Sequence, residues 1–452
     1  MKKRDNNTDQ QSPRAQRSLG ARTAPAGQEY FSLYCYLWDA VDKGLDPFAR
    51  MAQNLGLTNV SVAASYHGGK ALLPHNSKQP AYFIEDGAVY IRPTSRFFKG
   101  TRLRPLVSQL VKKRDYFGDL VEKCQKRGVK TTAWTVALHN TYLGTTYPEV
   151  ATENVFGNRY FHSLCPSQPG VIAYLRGLVR SLAAYDIDAV EFETFEYVPF
   201  RHYAFLEKEG IAVTPMACLL LSLCFCPACQ KVAKKRGVST KLLAKGVKEW
   251  LQEYFAGKNR STAPVKELIR QISGLDEYLE ARFEVLGAAI EEMSGLLHEH
   301  GKKAIFLTIG QEEERDYLTG VDLRRVTQHA DAVETLFYAR PSDEAQSVVN
   351  ALKKALGTDL PVYCAIRPGY PDASSSSDAA ELTKSVLGAG AAGVSYYNFG
   401  LLEESHMPWI RNAIREVRKQ STGALEVERG KTSVEPMPSK GLVRPNVLRK
   451  AF

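Results

Sequence analysis

The chain has 452 residues, 44% of them hydrophobic and 24% charged, with a net charge of +10. That length admits one large domain or a few ordinary ones, and the composition excludes collagen, a disulfide-framed mini-protein and a fully disordered chain. Much of the charge sits at the ends, +4 in residues 1–27 and +3 in residues 420–452; this reads as solvated basic tails, and no RNA- or DNA-binding motif accompanies them, so no nucleic-acid partner is expected.

Met1-Lys2-Lys3-Arg4 opens like a signal peptide, but no apolar stretch follows. No run of about 18 apolar residues exists to span a bilayer; the longest candidate, Met216–Phe225, is too short. The expected compartment is the cytoplasm, with no membrane partner.

Residues 1–28 and 420–452 read as disordered tails, and 29–419 as one body with no linker longer than Ser374–Ser377. Eight runs rich in β-branched and aromatic residues read as strands: Tyr30–Trp38, Val60–Tyr66, Thr131–Leu138, Ile187–Thr194, Lys303–Ile309, Ala332–Phe337, Pro361–Ile366 and Gly393–Asn398. Helical patterns follow each in turn: Asp46–Leu55, Asp115–Arg127, Gly170–Tyr185, Leu275–His300, Asp322–His329, Asp343–Leu356, Asp378–Leu387 and Ser405–Lys419. In the longest, Leu279, Phe283, Leu286, Ile290, Met293 and Leu297 keep helical spacing along one face. Eight β-α pairs predict an α/β protein of the (β/α)8 TIM-barrel class, with long insertions at 67–114 and 195–274. A doubly wound open sheet is the alternative, but no glycine-rich phosphate loop follows the first strand. The first insertion contains an apparent hairpin over Ala81–Ile91, turning at Asp86-Gly87. The second holds helices near 240–256 and 264–273.

In such a barrel, chemistry gathers where strands end. There the sequence places Tyr36, Trp38 and Asp39; Tyr66 and His67; Trp134, His139 and Asn140; Glu191, Glu193 and Glu196; Thr308 and Gln311; Glu334 and Tyr338; Arg367; and Tyr396, Tyr397 and Asn398. Aromatic faces stack on sugar rings, and amides and carboxylates bind hydroxyls, so a carbohydrate is the expected ligand. Candidate binding residues are Trp38, Asp39, His67, Trp134, His139, Asn140, Arg367, Tyr397 and Asn398, with Arg367 able either to hold an anion or to pair with Glu334.

The run Asp188-Ala-Val-Glu-Phe-Glu-Thr is the most informative. Side chains alternate along a strand, so Glu191 and Glu193 share a face with Ala189, and the apolar Val190 and Phe192 take the other. Two carboxylates turned into a barrel are hard to explain by packing, and their repulsion raises one pKa toward the range of a useful acid. Glycoside cleavage needs an acid plus a second carboxylate. Glu193 is the candidate acid, Glu334 the leading partner and Glu191 the next. Glu312–Glu314 reads as a solvated surface stretch.

Cys224-Phe-Cys226-Pro-Ala-Cys229 packs three thiols into six residues, which suits a tetrahedral structural Zn²⁺; Cys165 and Cys218 are candidates for the fourth ligand. No organic cofactor is expected. The order Leu164-Cys165-Pro166-Ser167, helix, Glu-bearing strand, then C-x-C-x-x-C resembles the glycoside hydrolase family 42 β-galactosidases. The resemblance covers roughly residues 160–235 and implies zinc ligands Cys165, Cys224, Cys226 and Cys229, with Glu193 as acid/base. The chain departs from the family at Phe192, where the family has Asn, and at Val362–Arg367, where it has a nucleophilic Glu.

The leading expectation is therefore a glycoside hydrolase-like enzyme using carboxylate acid/base chemistry at the C-terminal face of the barrel. A divalent-metal sugar isomerase or epimerase built on Glu193, Glu334 and His139, and a non-catalytic carbohydrate-binding barrel, are the alternatives. Homo-oligomerisation stays open.

Overall fold

The computed structural model describes residues 30–431 except 77, 203–207, 259, 260, 262 and 309–314. Eight strands form a closed parallel barrel: β1 (Tyr30–Cys35), β2 (Asn59–Tyr66), β3 (Lys130–Val136), β4 (Ala189–Glu193), β5 (Lys303–Thr308), β6 (Ala332–Leu336), β7 (Val362–Ile366) and β8 (Gly393–Tyr396). Each pairs with its neighbours in sequence, and β1 pairs with both β2 and β8, which closes the ring. The connecting helices are α1 (Leu45–Leu55), α2 (Tyr116–Gln125), α3 (Pro169–Ala183), α4 (Leu275–His298), α5 (Leu323–His329), α6 (Ala345–Leu356), α7 (Ser376–Gly388) and α8 (Met407–Lys431). The expected (β/α)8 fold is the observed one.

Local chemistry explains several boundaries. Asp115, Asp322 and Ser375 accept backbone N–H groups as N-caps of α2, α5 and α7. Gly56 ends α1 at φ +83°, a left-handed position that costs other residues a Cβ clash. On α4 the six residues with helical spacing are all buried. Val190 and Phe192 face this outer layer, where Phe192 stacks on Phe306.

One expectation is corrected. Residues 81–91 do not form a hairpin. Ala81–Ile84 pairs with Gly69–Leu72, while Ala88–Val89 pairs with β2 and with Leu106–Val107. Glu85–Gly87 does turn, but its two arms find partners elsewhere, one in a separate two-stranded ribbon with Gly69–Leu72 and the other against the end of β2. Helix α8 runs on past position 420 to Lys431. Residues 139–168 carry a short helix (Thr141–Thr146) and an antiparallel pair (Ala151–Glu153 with Arg159–Leu164). The expected tail at 1–28 lies outside the described residues. Among those described, no single helix is long and apolar enough to cross a membrane.

The barrel interior is layered. At the bottom, Ala189, Ile305 and Ala332 cluster beside Tyr363, whose ring stacks on Tyr30 at 3.9 Å. Gly393 leaves the room for this stack, because a Cβ there would meet Tyr30 at 2.6 Å. The middle layer is polar. Asn59 donates to Ser32, Thr132 donates to Asn59, and Glu191 accepts from Tyr34 (2.5 Å) and Ser61 (3.2 Å). Glu334, also fully buried, faces Glu191, Ser395 and Tyr34. Burial pushes both carboxyls above the usual carboxylate range, and the charge of Glu334 adds to the shift of Glu191. Two carboxylates at zero exposure do not both ionise; the pair keeps at least one proton.

That proton sets a pH dependence. The folded pKa lies above the unfolded one of about 4.3, so the stability is complete below that value and is lost as pH rises toward the folded pKa. Between pH 5 and 8 the wild type should lose up to about 1.4 kcal/mol per pH unit. Glu334→Gln, whose amide can donate to Glu191 in place of the proton, should flatten the slope of melting temperature against pH. Parallel curves for the two proteins would contradict this pairing.

Candidate active site and metal centre

Above the carboxyl pair, the strand ends form an aromatic cup around Glu193. Strand alternation on β4 puts Glu193 one layer nearer the rim than Glu191, and it is half-buried where Glu191 is fully buried. The indole N–H of Trp134 donates to Glu193 Oε2 at 2.6 Å. Desolvation raises the Glu193 pKa above the usual carboxylate range, while the charge of His67 and the Trp134 hydrogen bond pull it back.

The walls are phenols and indoles. Tyr36 stacks on Trp134 at 5.6 Å, and its hydroxyl meets those of Tyr66 (3.3 Å) and Tyr397 (3.4 Å). Tyr66, Tyr338 and Tyr397 all sense the charge of Glu193. His67, Tyr338 and Tyr397 are half-buried like Glu193, so these four groups are open at the mouth, while Trp134, Tyr36 and Tyr66 form the wall behind. The Tyr397–Asn398 peptide bond is cis.

His67 stacks on His139 at 4.6 Å and 10°, and His162 and His202 pack edge-on against the same ring. Burial, followed by repulsion from His67, His202 and His162, lowers the His139 pKa to about 2. His139 is therefore a neutral wall residue.

Several expected binding residues turn out to be occupied. Asn140 caps Thr141–Thr146 through Leu143 N and donates to Gly87 O, so both its polar ends are used by the fold. Asn398 is fully buried; its Oδ1 accepts from Gly400 N, while its Nδ2 has no partner among the described residues. Trp38 lies between Tyr36 and Tyr82, stacked at 4.5 Å on each. Arg367 does not pair with Glu334; it makes a two-point ion pair with Asp372 (2.7 and 2.8 Å) and lies over the Tyr338 ring. Asp39 lies in a neighbouring pocket of about 100 Å³, lined also by Asp42, Lys43, His75, Phe399 and Glu404 but not by Glu193. Desolvation raises the Asp39 pKa to about 8, against the pull of the Tyr36 N–H. Glu191 and Glu334, expected beside Glu193, belong to the sealed layer beneath it. Gln311 and Glu312–Glu314 lie outside the described residues.

Tyr34 is the residue the strand pattern could have revealed, because it continues the inward series Tyr30, Ser32, Tyr34, Tyr36. His162 and His202 lie in connections that carry no periodicity, so nothing in the sequence signals them.

The second centre is the cysteine cluster. Cys165, which follows the Arg159–Leu164 strand, meets Cys224, Cys226 and Cys229, with all four sulfurs within 4.8 Å of one another. Cys165 Sγ lies 3.3 Å from Cys229 and 3.7 Å from both Cys224 and Cys226. Tetrahedral thiolates at the usual zinc–sulfur length are about 3.8 Å apart, so the set fits one such ion. Backbone Glu153 N and the Gln168 amide donate to Cys224 and Cys226. Hydrogen bonds from the other three thiols hold the Cys226 pKa well below the usual thiol value, while burial pushes Cys165 and Cys224 up. Cys218 is not part of the cluster; it lies on the Pro215–Ser222 helix. The ligand atoms of Glu193, Glu334 and His139 do not gather in this way: the cysteine set is the group of metal-ligand type found among the described residues.

No protein-family model matches the sequence, and a search of curated proteins finds no match. Solved structures do share the fold. α-L-Fucosidase isoenzyme 2 from Paenibacillus thiaminolyticus superposes with a TM-score of 0.52 at 11% identity, covering 87% of this chain and 50% of that one. A β-galactosidase from the psychrophilic Marinomonas ef1 gives 0.51 at 11% identity, covering 87% and 60%. The chain thus spans half to three fifths of these glycoside hydrolases, and identity this low establishes the barrel they share.

Metal analysis of the purified protein should return about one zinc per chain. Cys226→Ser should lose that metal and melt at a lower temperature, because a closed four-ligand site adds its binding energy to folding. A wild type free of metal would contradict this.

Proposed function

We propose that the protein is a carbohydrate-acting hydrolase of the glycoside hydrolase kind, with Glu193 as the acid/base. The observation that carries this reading is Glu193 itself: a carboxyl with a raised pKa, held by an indole N–H, at the open end of a barrel whose rim is aromatic. A protonated carboxylic acid near neutral pH can give its proton to a glycosidic oxygen, and the surrounding rings offer faces for a pyranose. The fold shared with a fucosidase and a β-galactosidase supports the same class. Family 42 in particular rests on the Cys165 and Cys224–Cys229 arrangement, which supports zinc as the bound ion. Its role would be structural: four thiolates fill a tetrahedral shell and leave no position for substrate.

Glu191 and Glu334 act beneath the cup, as a proton-sharing pair, and not on the sugar. His67, Tyr338 and Tyr397 are the side chains placed to touch it. The isomerase alternative loses its basis, because its three proposed ligands do not converge. The eight cysteines, all buried and free, suit a reducing compartment and support the cytoplasmic expectation.

On whichever members of a panel of aryl glycosides the wild type hydrolyses, Glu193→Gln should lower kcat by about 10²–10⁴-fold with the fold intact. Turnover close to wild type would reject the assignment. Sugar binding without turnover in the wild type would favour the non-catalytic barrel. Trp134→Phe removes a hydrogen bond that holds the Glu193 pKa down. The alkaline limb of kcat/KM, where the acid loses its proton, should therefore move to higher pH; a limb that stays in place would mean another group sets it.

A further inference from the structure

Arg282 poses a problem that the barrel alone does not solve. It sits on α4, one turn after Tyr278, and is only 2% exposed. Its Nη1 and Nη2 donate to the carbonyls of Tyr317 (2.7 Å) and Leu318 (2.9 Å), while Nε finds no partner. No carboxylate among the described residues pairs with it. The carbonyls satisfy two donors but supply no formal counter-charge, and a guanidinium removed from water without one is strongly destabilising.

An opposite charge in the same plight lies one ring away. The Arg282 guanidinium packs over the face of Tyr197, 4.4 Å from its centre. The Tyr197 hydroxyl bonds to Ser167, two residues after Cys165, and Tyr278 donates to the Cys224 carbonyl. Both phenols sense Arg282 together with the cluster: Cys229 and Cys165 act on Tyr197, and Cys229 and Cys224 on Tyr278. When four thiols shed their protons to bind a divalent ion, the centre carries a net double negative charge. All four cysteines are 2% exposed or less, so water does little to offset it.

We propose that Arg282 is the buried counter-charge of a four-thiolate metal centre, acting across Tyr197 and Tyr278. The proposal rests on the zinc reading above and extends it. It also gives the centre a task. Cys165 lies in the connection that carries His139 and His162, and Cys224–Cys229 lie in the one that leaves β4 and carries His202. These two segments meet at the His139 ring beside Glu193. The ion and its counter-charge therefore staple together two walls of the cup.

Full-length wild type, Arg282→Met and Arg282→Lys would be compared, with Zn²⁺ affinity measured by competition against a chromophoric chelator and melting measured both zinc-loaded and zinc-stripped. Arg282→Met should bind zinc at least about tenfold more weakly, the lower end of what losing a residue behind the ligands costs. Loaded, it should melt below the wild type. Stripped, with most of the thiols protonated, it should lose less melting temperature than it loses loaded, because the arginine then faces little opposing charge and only its carbonyl and ring contacts are lost. Arg282→Lys should recover most of the affinity. Wild-type affinity in Arg282→Met, or an equal loss of melting temperature loaded and stripped, would overturn the counter-charge while leaving the metal site standing. If stripped protein does not melt cooperatively, the competition titration decides alone. A wild type that binds no zinc would overturn the metal reading and this proposal with it.

Discussion

The hydrogen bond from the Trp134 indole to Glu193 holds the site together. It joins neighbouring strands β3 and β4 at the rim, fixes one carboxylate oxygen, and leaves the rest of the group facing the mouth. An acid in a dry aromatic cup needs one such donor. Burial pushes the carboxyl up, and the indole N–H and the nearby charge of His67 oppose that rise.

The layer below makes this possible. A barrel filled with aliphatic side chains would be more stable, yet this one spends its middle on Tyr34, Asn59, Ser61, Glu191 and Glu334. The proton the pair keeps, with the Tyr34 and Ser61 hydroxyls donating to Glu191, makes the burial tolerable. The pair gives the floor of the cup a fixed polar framework on which Tyr34 stands, edge-on to Trp134 and Tyr397. Outside the barrel the cysteine centre does a comparable job for the walls. Those walls come from the long connections between β3 and α3 and between β4 and α4.

Much of this could be read in the chain before any coordinates. Period-two alternation in Ala189–Glu193 told which way both glutamates point, because a strand has only two faces and Val190 and Phe192 claimed one of them. Three cysteines in six residues pointed to a second centre, and the fold brings Cys165 to them as the fourth sulfur. What stayed hidden involves pairing across sequence distance. Nothing local says that Glu334 meets Glu191, or that Ala88–Val89 prefers β2 to its apparent hairpin partner. Asn140 looked like a ligand-binding amide, but Asn before a short helix is as often a cap, and here it caps. Arg367 had a nearer partner, Asp372, five residues on, than the distant glutamate it was matched with.

The most direct test is a crystal structure of Glu193→Gln soaked with oligosaccharides. The account predicts a pyranose ring against Tyr338 and Tyr397, with its glycosidic oxygen within hydrogen-bond distance of residue 193. A sugar seated only in the Asp39–His75 pocket, with the cup around residue 193 filled by solvent, would contradict it.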